Sequence, residues 1–299
     1  MARRRDHLRR QARPRRRQGE ARPVRPPPSD FREQEVEQAA WASRKQTADV
    51  GGLDLAYVEI AGSDPPLLLV HGFTDTSRSF SLLAPHLAGR RLVMPDLRGH
   101  GGSQAGEGCG VADFADDMAG LIRRLRLDRP IVVGHSLGGM VAMQLASRHP
   151  ELIGGLVLLA TSLRPGMTPD HPLVAGIAAL RDPISPTDPF YDWWHQCGPG
   201  VPRAFLAELA KDASAMPAAR WRAVLEEIRR TDLAATVRAV RVRALIMAGA
   251  SDPLFDQAHQ QALAAALTGS RLVWARDCGH NPHWEDPAFV AAIIETLGG

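Results

Sequence analysis

The chain has 299 residues, of which 44% are hydrophobic and 23% are charged. These values are typical of a globular protein, and a chain of this length can bury a full core without disulfides or metal ions. Apolar runs such as residues 67–70 and 156–160 are far shorter than the roughly 20 residues of a transmembrane helix. The three cysteines are widely spaced and form no CxxC pair, so the sequence predicts neither a zinc site nor a disulfide framework. We therefore expect no membrane-spanning segment and a cytoplasmic location.

Positive charge is concentrated at the N-terminus. Residues 1–28 contain 11 arginines and two acidic residues, whereas the rest of the chain has 25 basic and 31 acidic residues. The Arg- and Pro-rich composition predicts a disordered extension over residues 1–45. No aromatic residue precedes Phe31 to stack on bases, so we do not expect nucleic-acid binding despite the charge. A solvated extension is the simpler interpretation.

Apolar segments with two different periods alternate along the rest of the chain. Residues 53–60 alternate between apolar and polar side chains, as in an edge strand, and Gly51-Gly52 before them indicates a hairpin turn. Short apolar runs of the kind buried on both faces of a sheet follow at residues 67–70, 91–94, 131–133, 156–160, 244–247 and 272–274. Helical spacing of apolar residues lies between them, as at 111–125, and returns at 289–297. This alternation predicts an α/β fold with a doubly wound, mainly parallel sheet.

One long interval, residues 163–240, contains no convincing strand pattern. Proline and glycine are frequent in its first part, and Trp193 and Trp194 lie beside further aromatic residues. Trp221 and Ile228 then belong to a segment with helical spacing. We predict a helical insertion into the sheet topology, within one domain that spans residues 46–299.

Ser136 lies in the pattern Gly-x-Ser-x-Gly, which residues 134–138 form. A predicted strand precedes it and a helical pattern follows it, which is the context of a nucleophile on a sharp strand-to-helix turn. Side chains at Gly134 and Gly138 would collide in such a turn, and the following helix directs its N-terminus towards an oxyanion. The sequence therefore predicts that Ser136 is a nucleophile.

A nucleophilic serine requires a general base and a carboxylate that fixes the tautomer of that base. On a doubly wound sheet the expected chain order is serine, then acid, then histidine. Asp252 follows one predicted strand and His280 follows the next, so we predict that they are the acid and the base. Their competitors are Asp256 and Asp277 for the acid and His283 for the base. Asp256 is expected to begin a helix, and Asp277 is too close in sequence to reach the ring easily.

Two backbone N–H groups are predicted to form an oxyanion hole. One belongs to Leu137, directly after the nucleophile, and the other to Phe73, in the loop after the predicted strand at 67–70. Gly72 lets this loop turn close to the site. One such donor stabilises an acyl-transfer transition state by about 3 kcal/mol.

Five motifs together resemble those of the α/β-hydrolase superfamily in order and spacing: His71-Gly72-Phe73, residues 95–101, residues 134–139, Ser251-Asp252 and Gly279-His280. The resemblance covers about residues 50–299. It implies that residues 163–240 form a cap over the active site. It also implies that Asp96, Arg98 and His100, in the second motif, support the structure and do not catalyse. The Arg-rich extension has no counterpart in this pattern.

Members of this superfamily catalyse several different reactions. The identity of the nucleophile excludes some of them for this chain. Haloalkane dehalogenases and epoxide hydrolases carry aspartate where this chain has Ser136, and hydroxynitrile lyases use a lysine that Lys45 and Lys211 are poorly placed to supply. C–C bond hydrolases usually have a glycine-rich stretch where this chain has residues 73–76. We therefore expect hydrolysis of a carboxylic ester, lactone or thioester without a cofactor or metal ion. A haloperoxidase-like perhydrolase, a C–C bond hydrolase and a ligand receptor that keeps the triad remain alternatives.

An apolar substrate is expected from the aromatic residues of the insertion and from residues close to the triad in sequence. The predicted substrate-binding residues are Phe73, His135, Trp193, Trp194, Trp221 and Leu254. The aromatic residues of the insertion have an alternative role, which is to pack the cap onto the sheet. A small apolar ester or lactone is the expected binding partner.

Overall fold

The computed structural model describes residues 38–297. The strands in this range are β1 (Gln46–Val50), β2 (Leu53–Ile60), β3 (Ser63–Val70), β4 (Arg90–Pro95), β5 (Ile131–His135), β6 (Gly155–Leu159), β7 (Arg243–Gly249) and β8 (Arg271–Ala275). They form one eight-stranded sheet in the order β1-β2-β4-β3-β5-β6-β7-β8. β1 and β2 form a hairpin, β2 is antiparallel to β4, and β3 to β8 run parallel. The predicted mainly parallel sheet is confirmed.

Helices cover both faces of this sheet. They are α1 (Val111–Arg124), α2 (Leu137–Arg148), α3 (Pro172–Ala179), α4 (Phe190–Trp194), α5 (Arg203–Ser214), α6 (Ala218–Arg230), α7 (Gln257–Ala266), α8 (Pro282–Glu285) and α9 (Pro287–Glu295). Leu68 of β3 belongs to the same buried cluster as residues of α1 and α2, whereas Leu69 belongs to a second cluster with residues of α9. Successive residues thus point into different helix layers. Because both faces of the strands are buried, the parallel strands consist of continuous runs of apolar residues. In residues 38–297, no helix has the length and apolar character needed to cross a membrane.

The segment between β6 and β7 is helical. It contains α3 to α6 and a short 3-10 helix, Thr236–Ala239. The buried face of α6 carries Trp221, Val224 and Ile228, as the helical spacing predicts. We call residues 163–240 the insertion, because they separate two strands that are neighbours in the sheet.

The N-terminal part of the described chain differs from the sequence prediction. The predicted disorder of residues 1–37 lies outside the described residues. Gln38–Arg44, which the prediction also assigned to the extension, forms a 3-10 helix. Its Trp41 side chain is fully buried, and Nε1 donates to the Ser77 hydroxyl at 3.2 Å. The indole of Trp41 thus attaches this segment to the folded domain.

Replacing Trp41 tests whether this segment belongs to the folded domain. We expect Trp41→Ala to lower the free energy of unfolding by about 3–5 kcal/mol, because it leaves a cavity in the core. Trp193→Ala is the control, since the Trp193 side chain is 37% exposed, and it should cost at most about 1 kcal/mol. Urea unfolding followed by circular dichroism measures both changes. Equal stability of Trp41→Ala and the wild type would contradict the assignment.

Candidate active site

The predicted nucleophile lies at the turn between β5 and α2. Ser136 has φ 50° and ψ −114°, a conformation that costs a non-glycine residue about 1–3 kcal/mol. Its N–H donates to the Leu159 carbonyl at 2.9 Å, and its own carbonyl accepts the Thr161 hydroxyl at 2.7 Å. Bonds to both of its backbone polar groups therefore hold Ser136 in this strained conformation.

Glycine is required on both sides of Ser136 because backbone passes too close for a side chain. A Cβ at Gly134 would lie 2.3 Å from the carbonyl oxygen of Gly138, and a Cβ at Gly138 would lie 2.0 Å from that of Val70. These neighbours are main-chain atoms, which cannot move aside as the end of a flexible side chain can. The Gly-x-Ser-x-Gly turn is thus packed directly against the end of β3.

A hydrogen bond joins the predicted acid and base. His280 Nδ1 lies 2.9 Å from Asp252 Oδ2, and both side chains are buried. The other carboxylate oxygen accepts the N–H groups of Leu254 and Phe255 at 2.8 and 3.1 Å. Three donors therefore fix the carboxylate. Because Nδ1 donates its proton to Asp252, Nε2 is the nitrogen of His280 that can accept one.

The loops after β7 and β8, which carry this pair, are bonded to each other. Ser251 N–H donates to the Cys278 carbonyl at 3.0 Å. A Cβ at Gly249 would lie 1.9 Å from the carbonyl oxygen of Gly279, so this position requires glycine. The sequence separates the acid and the base by 28 residues, and these backbone contacts bring them together.

The competing acid and base candidates have other roles. Asp256 accepts two N–H groups at the N-terminus of α7, as expected of a helix cap. Asp277 is exposed. His283 is fully buried, its Nε2 lies 3.0 Å from the Ser79 hydroxyl, and burial lowers its pKa to about 3. Residues 38–297 contain no group of three or more His, Cys, Asp or Glu side chains arranged to hold a metal ion.

The loop after β3, which carries Phe73, is anchored by a histidine. His71 Nδ1 lies 2.8 Å from the Gly72 carbonyl, and Nε2 accepts the Leu97 N–H at 2.9 Å. Burial lowers the pKa of His71 to about 4, so the ring is neutral and one nitrogen can act as an acceptor. This ring joins the loops after β3 and β4. Leu137, the other predicted oxyanion donor, is the first residue of α2.

Ser136 and His280 line one cavity of about 520 Å³. Five of the predicted substrate-binding residues lie in its wall: Phe73, His135, Trp193, Trp194 and Leu254. The indole Nε1 of Trp194 donates to the Thr74 hydroxyl at 2.9 Å, which bonds the insertion to the loop that carries Phe73. The insertion therefore supplies part of the cavity wall.

Trp221 does not line this cavity. Its side chain is fully buried, and Nε1 donates to the Ala213 carbonyl at 3.2 Å. The ring packs edge-on against Phe73, with 5.9 Å between ring centroids. The structure therefore corrects the predicted contact with substrate. Trp221 supports the Phe73 ring, because its face of α6 is turned into the core.

The cavity is also lined by six residues that the sequence did not predict: Asp75, His195, Gln196, Pro253, Asn281 and Trp284. Asp75 is the one that carries a carboxyl group. It is buried, and burial raises its pKa to about 7. Its position two residues after Phe73, in a loop already assigned to the site, is the signal that could have identified it.

Replacing Gly138 tests the close packing of the serine turn. We expect Gly138→Ala to lower the free energy of unfolding by about 3 kcal/mol, because the new Cβ would meet a backbone carbonyl. Gly200→Ala is the matched control, since nothing lies within 4 Å of a Cβ there, and it should change stability by less than about 0.5 kcal/mol. Chemical denaturation measures both. Equal effects of the two substitutions would contradict the packing argument.

Known proteins resemble this chain in sequence over most of its length. The sequence profile of the alpha/beta hydrolase family matches residues 67–293. A pimeloyl-[acyl-carrier protein] methyl ester esterase of Aromatoleum aromaticum is 34% identical over 251 residues, which are 78% of this chain and 98% of that protein. Lipase LipV of Mycobacterium tuberculosis is 28% identical over 83% of this chain and 98% of its own length.

A solved structure of an esterase is also similar to this chain. A thermophilic esterase from Thermogutta terrifontis superposes with a TM-score of 0.71 and 25% identity, over 84% of this chain and 97% of that one. The family profile also covers most of the sheet, including the turn that carries Ser136. The chain therefore belongs to the alpha/beta hydrolase family.

Proposed function

We propose that the protein is a serine hydrolase that cleaves a carboxylic ester or lactone through an acyl-enzyme. The proposal rests on one observation: Ser136, on a strained turn, lines the same cavity as a histidine that is hydrogen-bonded to a buried carboxylate. Relatives named as a methyl ester esterase and a lipase support ester bonds as the substrate class.

The first half of the reaction forms the acyl-enzyme. His280 Nε2 takes the proton of the Ser136 hydroxyl while the oxygen attacks the substrate carbonyl. Asp252 keeps the ring in the tautomer that has Nε2 available, and it stabilises the imidazolium that forms. The tetrahedral intermediate then collapses, and the alcohol leaves with the proton from His280.

The second half releases the acid. Water enters the place of the alcohol and gives a proton to His280 as its oxygen attacks the acyl carbonyl. Collapse of the second intermediate returns this proton to Ser136. In both halves the N–H groups of Phe73 and Leu137 are the proposed donors to the oxyanion, assisted by the N-terminus of α2.

The proposed substrate carries an apolar acyl group. Phe73, Trp193, Trp194 and Leu254 give the cavity an aromatic and aliphatic wall. Burial of apolar area there contributes roughly 25 cal/mol per Å².

Loss of the serine hydroxyl is the most direct test of the proposed reaction. We expect Ser136→Ala to lower kcat on p-nitrophenyl esters by at least about 10³-fold, because no nucleophile remains. A series of rising acyl length, with a small lactone panel, identifies the bond cleaved and the pocket size. Ser43→Ala, at an exposed serine, is the matched control and should keep wild-type activity. Equal turnover by Ser136→Ala and the wild type would refute the nucleophile. A folded wild-type protein that turns over no ester or lactone would favour the ligand receptor.

The acid can be tested against its competitor. We expect Asp252→Asn to lower kcat by about 10⁴-fold with little loss of stability, because the amide keeps the shape but no longer fixes the tautomer of His280. Asp277→Asn, three residues before the histidine and exposed, should leave kcat unchanged. Steady-state kinetics on one ester measures both variants. The opposite ranking would assign the role of acid to Asp277.

A further inference from the structure

Asp75 is a buried carboxyl group in the cavity wall that the proposed reaction does not use. It lies in the loop after β3 and is 5% exposed. It lines the same cavity as Ser136 and His280. A buried carboxylate is costly unless it is paired or hydrogen-bonded, and otherwise the group tends to keep its proton. The partners of Asp75 therefore decide which form faces a substrate.

Few of those partners compensate a negative charge. The Ser79 hydroxyl donates to Asp75 Oδ2 at 3.1 Å. None of the ion pairs within residues 38–297 joins Asp75 to a lysine or an arginine. The nearest basic group in an ion-pair geometry is His135, whose Nδ1 lies 3.8 Å from Asp75 Oδ2. The protonation state of His135 therefore decides whether Asp75 has a cationic partner.

The tautomer of His135 follows from its other nitrogen. Nε2 lies 3.0 Å from the backbone carbonyl of His280, and a carbonyl can only accept, so Nε2 carries a hydrogen. In the neutral ring Nδ1 is then bare. Nδ1 is buried without a hydrogen-bond partner and faces Asp75. A Cβ at Gly72 would lie 2.7 Å from this nitrogen and 3.3 Å from Asp75 Oδ2, so glycine makes room for the pair.

One proton therefore suffices for the two facing atoms, and burial places it on the carboxyl group. Burial raises the pKa of Asp75 to about 7, opposed by the hydrogen bond from Ser79, by His280 and by a backbone hydrogen bond from Gly72. The pKa of His135 is well below its ordinary value, first through burial and then through His283 and His280. Asp212 adds a weaker contribution that raises the pKa of Asp75. The ring thus stays neutral, and Asp75 is the group that changes charge near neutral pH.

We propose that Asp75 is a specificity-determining residue that selects substrates by the charge of the group that reaches it. With its proton Asp75 is an uncharged carboxyl group, whose O–H donates a hydrogen bond to a substrate carboxylate. Without its proton it is a carboxylate, which repels an anion and attracts a cation. This inference rests on the proposed function, because the selection acts on the esters that Ser136 cleaves.

Matched esters of different charge test the selection. The acyl series consists of p-nitrophenyl hexanoate, its mono-adipate analogue with a terminal carboxylate, and its 6-trimethylammonio analogue. The alcohol series consists of the acetates of phenol, of 4-hydroxybenzoate and of 4-hydroxyphenyl-trimethylammonium. In each series kcat/KM of the charged ester is divided by that of the neutral ester at the same pH. This ratio cancels the protonation of His280, which all the esters require.

We expect the anionic-to-neutral ratio of kcat/KM to fall at least about tenfold between pH 6.0 and pH 8.5 in at least one series. The cationic-to-neutral ratio should rise over the same range. An effect of about this size is expected for charges a few ångströms apart. Asp75→Asn should make the ratio independent of pH. Asp192→Asn, which removes an exposed carboxylate on α4, should keep the wild-type fall. Thermal unfolding shows whether Asp75→Asn is folded, and the wild-type ratios stand without it.

The outcomes separate this inference from the proposed function. Turnover that depends on Ser136, with ratios independent of pH in both series, would overturn the role of Asp75 alone. A fall that persists in Asp75→Asn would also overturn it. Absence of turnover for all esters by the folded wild type would overturn the proposed function, and the selection with it.

Discussion

The close approach of backbone to backbone at the carboxyl ends of the central strands is the constraint on which the candidate site depends. A Cβ at Gly138 would meet the last carbonyl of β3, and a Cβ at Gly249 would meet the loop that carries His280. These two contacts bring together segments that are far apart in sequence. Glycine thus lets the turn of Ser136 pack against the end of β3, and the end of β7 pack against the loop that carries His280. All four segments lie at the carboxyl ends of parallel strands, where ligands bind in such sheets.

Much of this arrangement is visible in the sequence. The parallel strands are buried on both faces and therefore read as short apolar runs, and the turn at Ser136 requires glycines that form a recognisable pattern. Asp75 and Trp221 are different. The burial of Asp75 and its approach to His135 arise from the tertiary packing of a loop. Loops lack the periodic spacing of apolar residues from which helices and strands are predicted. The prediction for Trp221 depended on the direction of one face of α6, and composition does not reveal which side of an aromatic cluster faces a cavity.

The insertion is bonded to the site from two sides. Trp194 donates to Thr74 in the loop that carries Phe73. Glu285 accepts the N–H of Gly198, in the insertion, at 3.0 Å and the N–H of Gly279, beside His280, at 2.9 Å. Both ends of the proposed machinery are thus in contact with the element that forms the pocket wall. A displacement of the insertion would break bonds to the loop that carries Phe73 or to the loop that carries His280, so the pocket wall and the position of His280 are coupled.

The aromatic wall and the buried carboxyl group also act on each other. Asp75 has a raised pKa because little water reaches it, and Phe73, Trp193 and Trp194 line the same cavity. An apolar acyl group that fills the cavity removes more of that water, which disfavours the charged form further. Apolar substrates therefore stabilise the protonated state of Asp75, and by linkage that state binds them more tightly. A substrate carboxylate or ammonium acts on the same equilibrium in opposite directions. The pocket thus distinguishes substrates by polarity and by charge through a single proton.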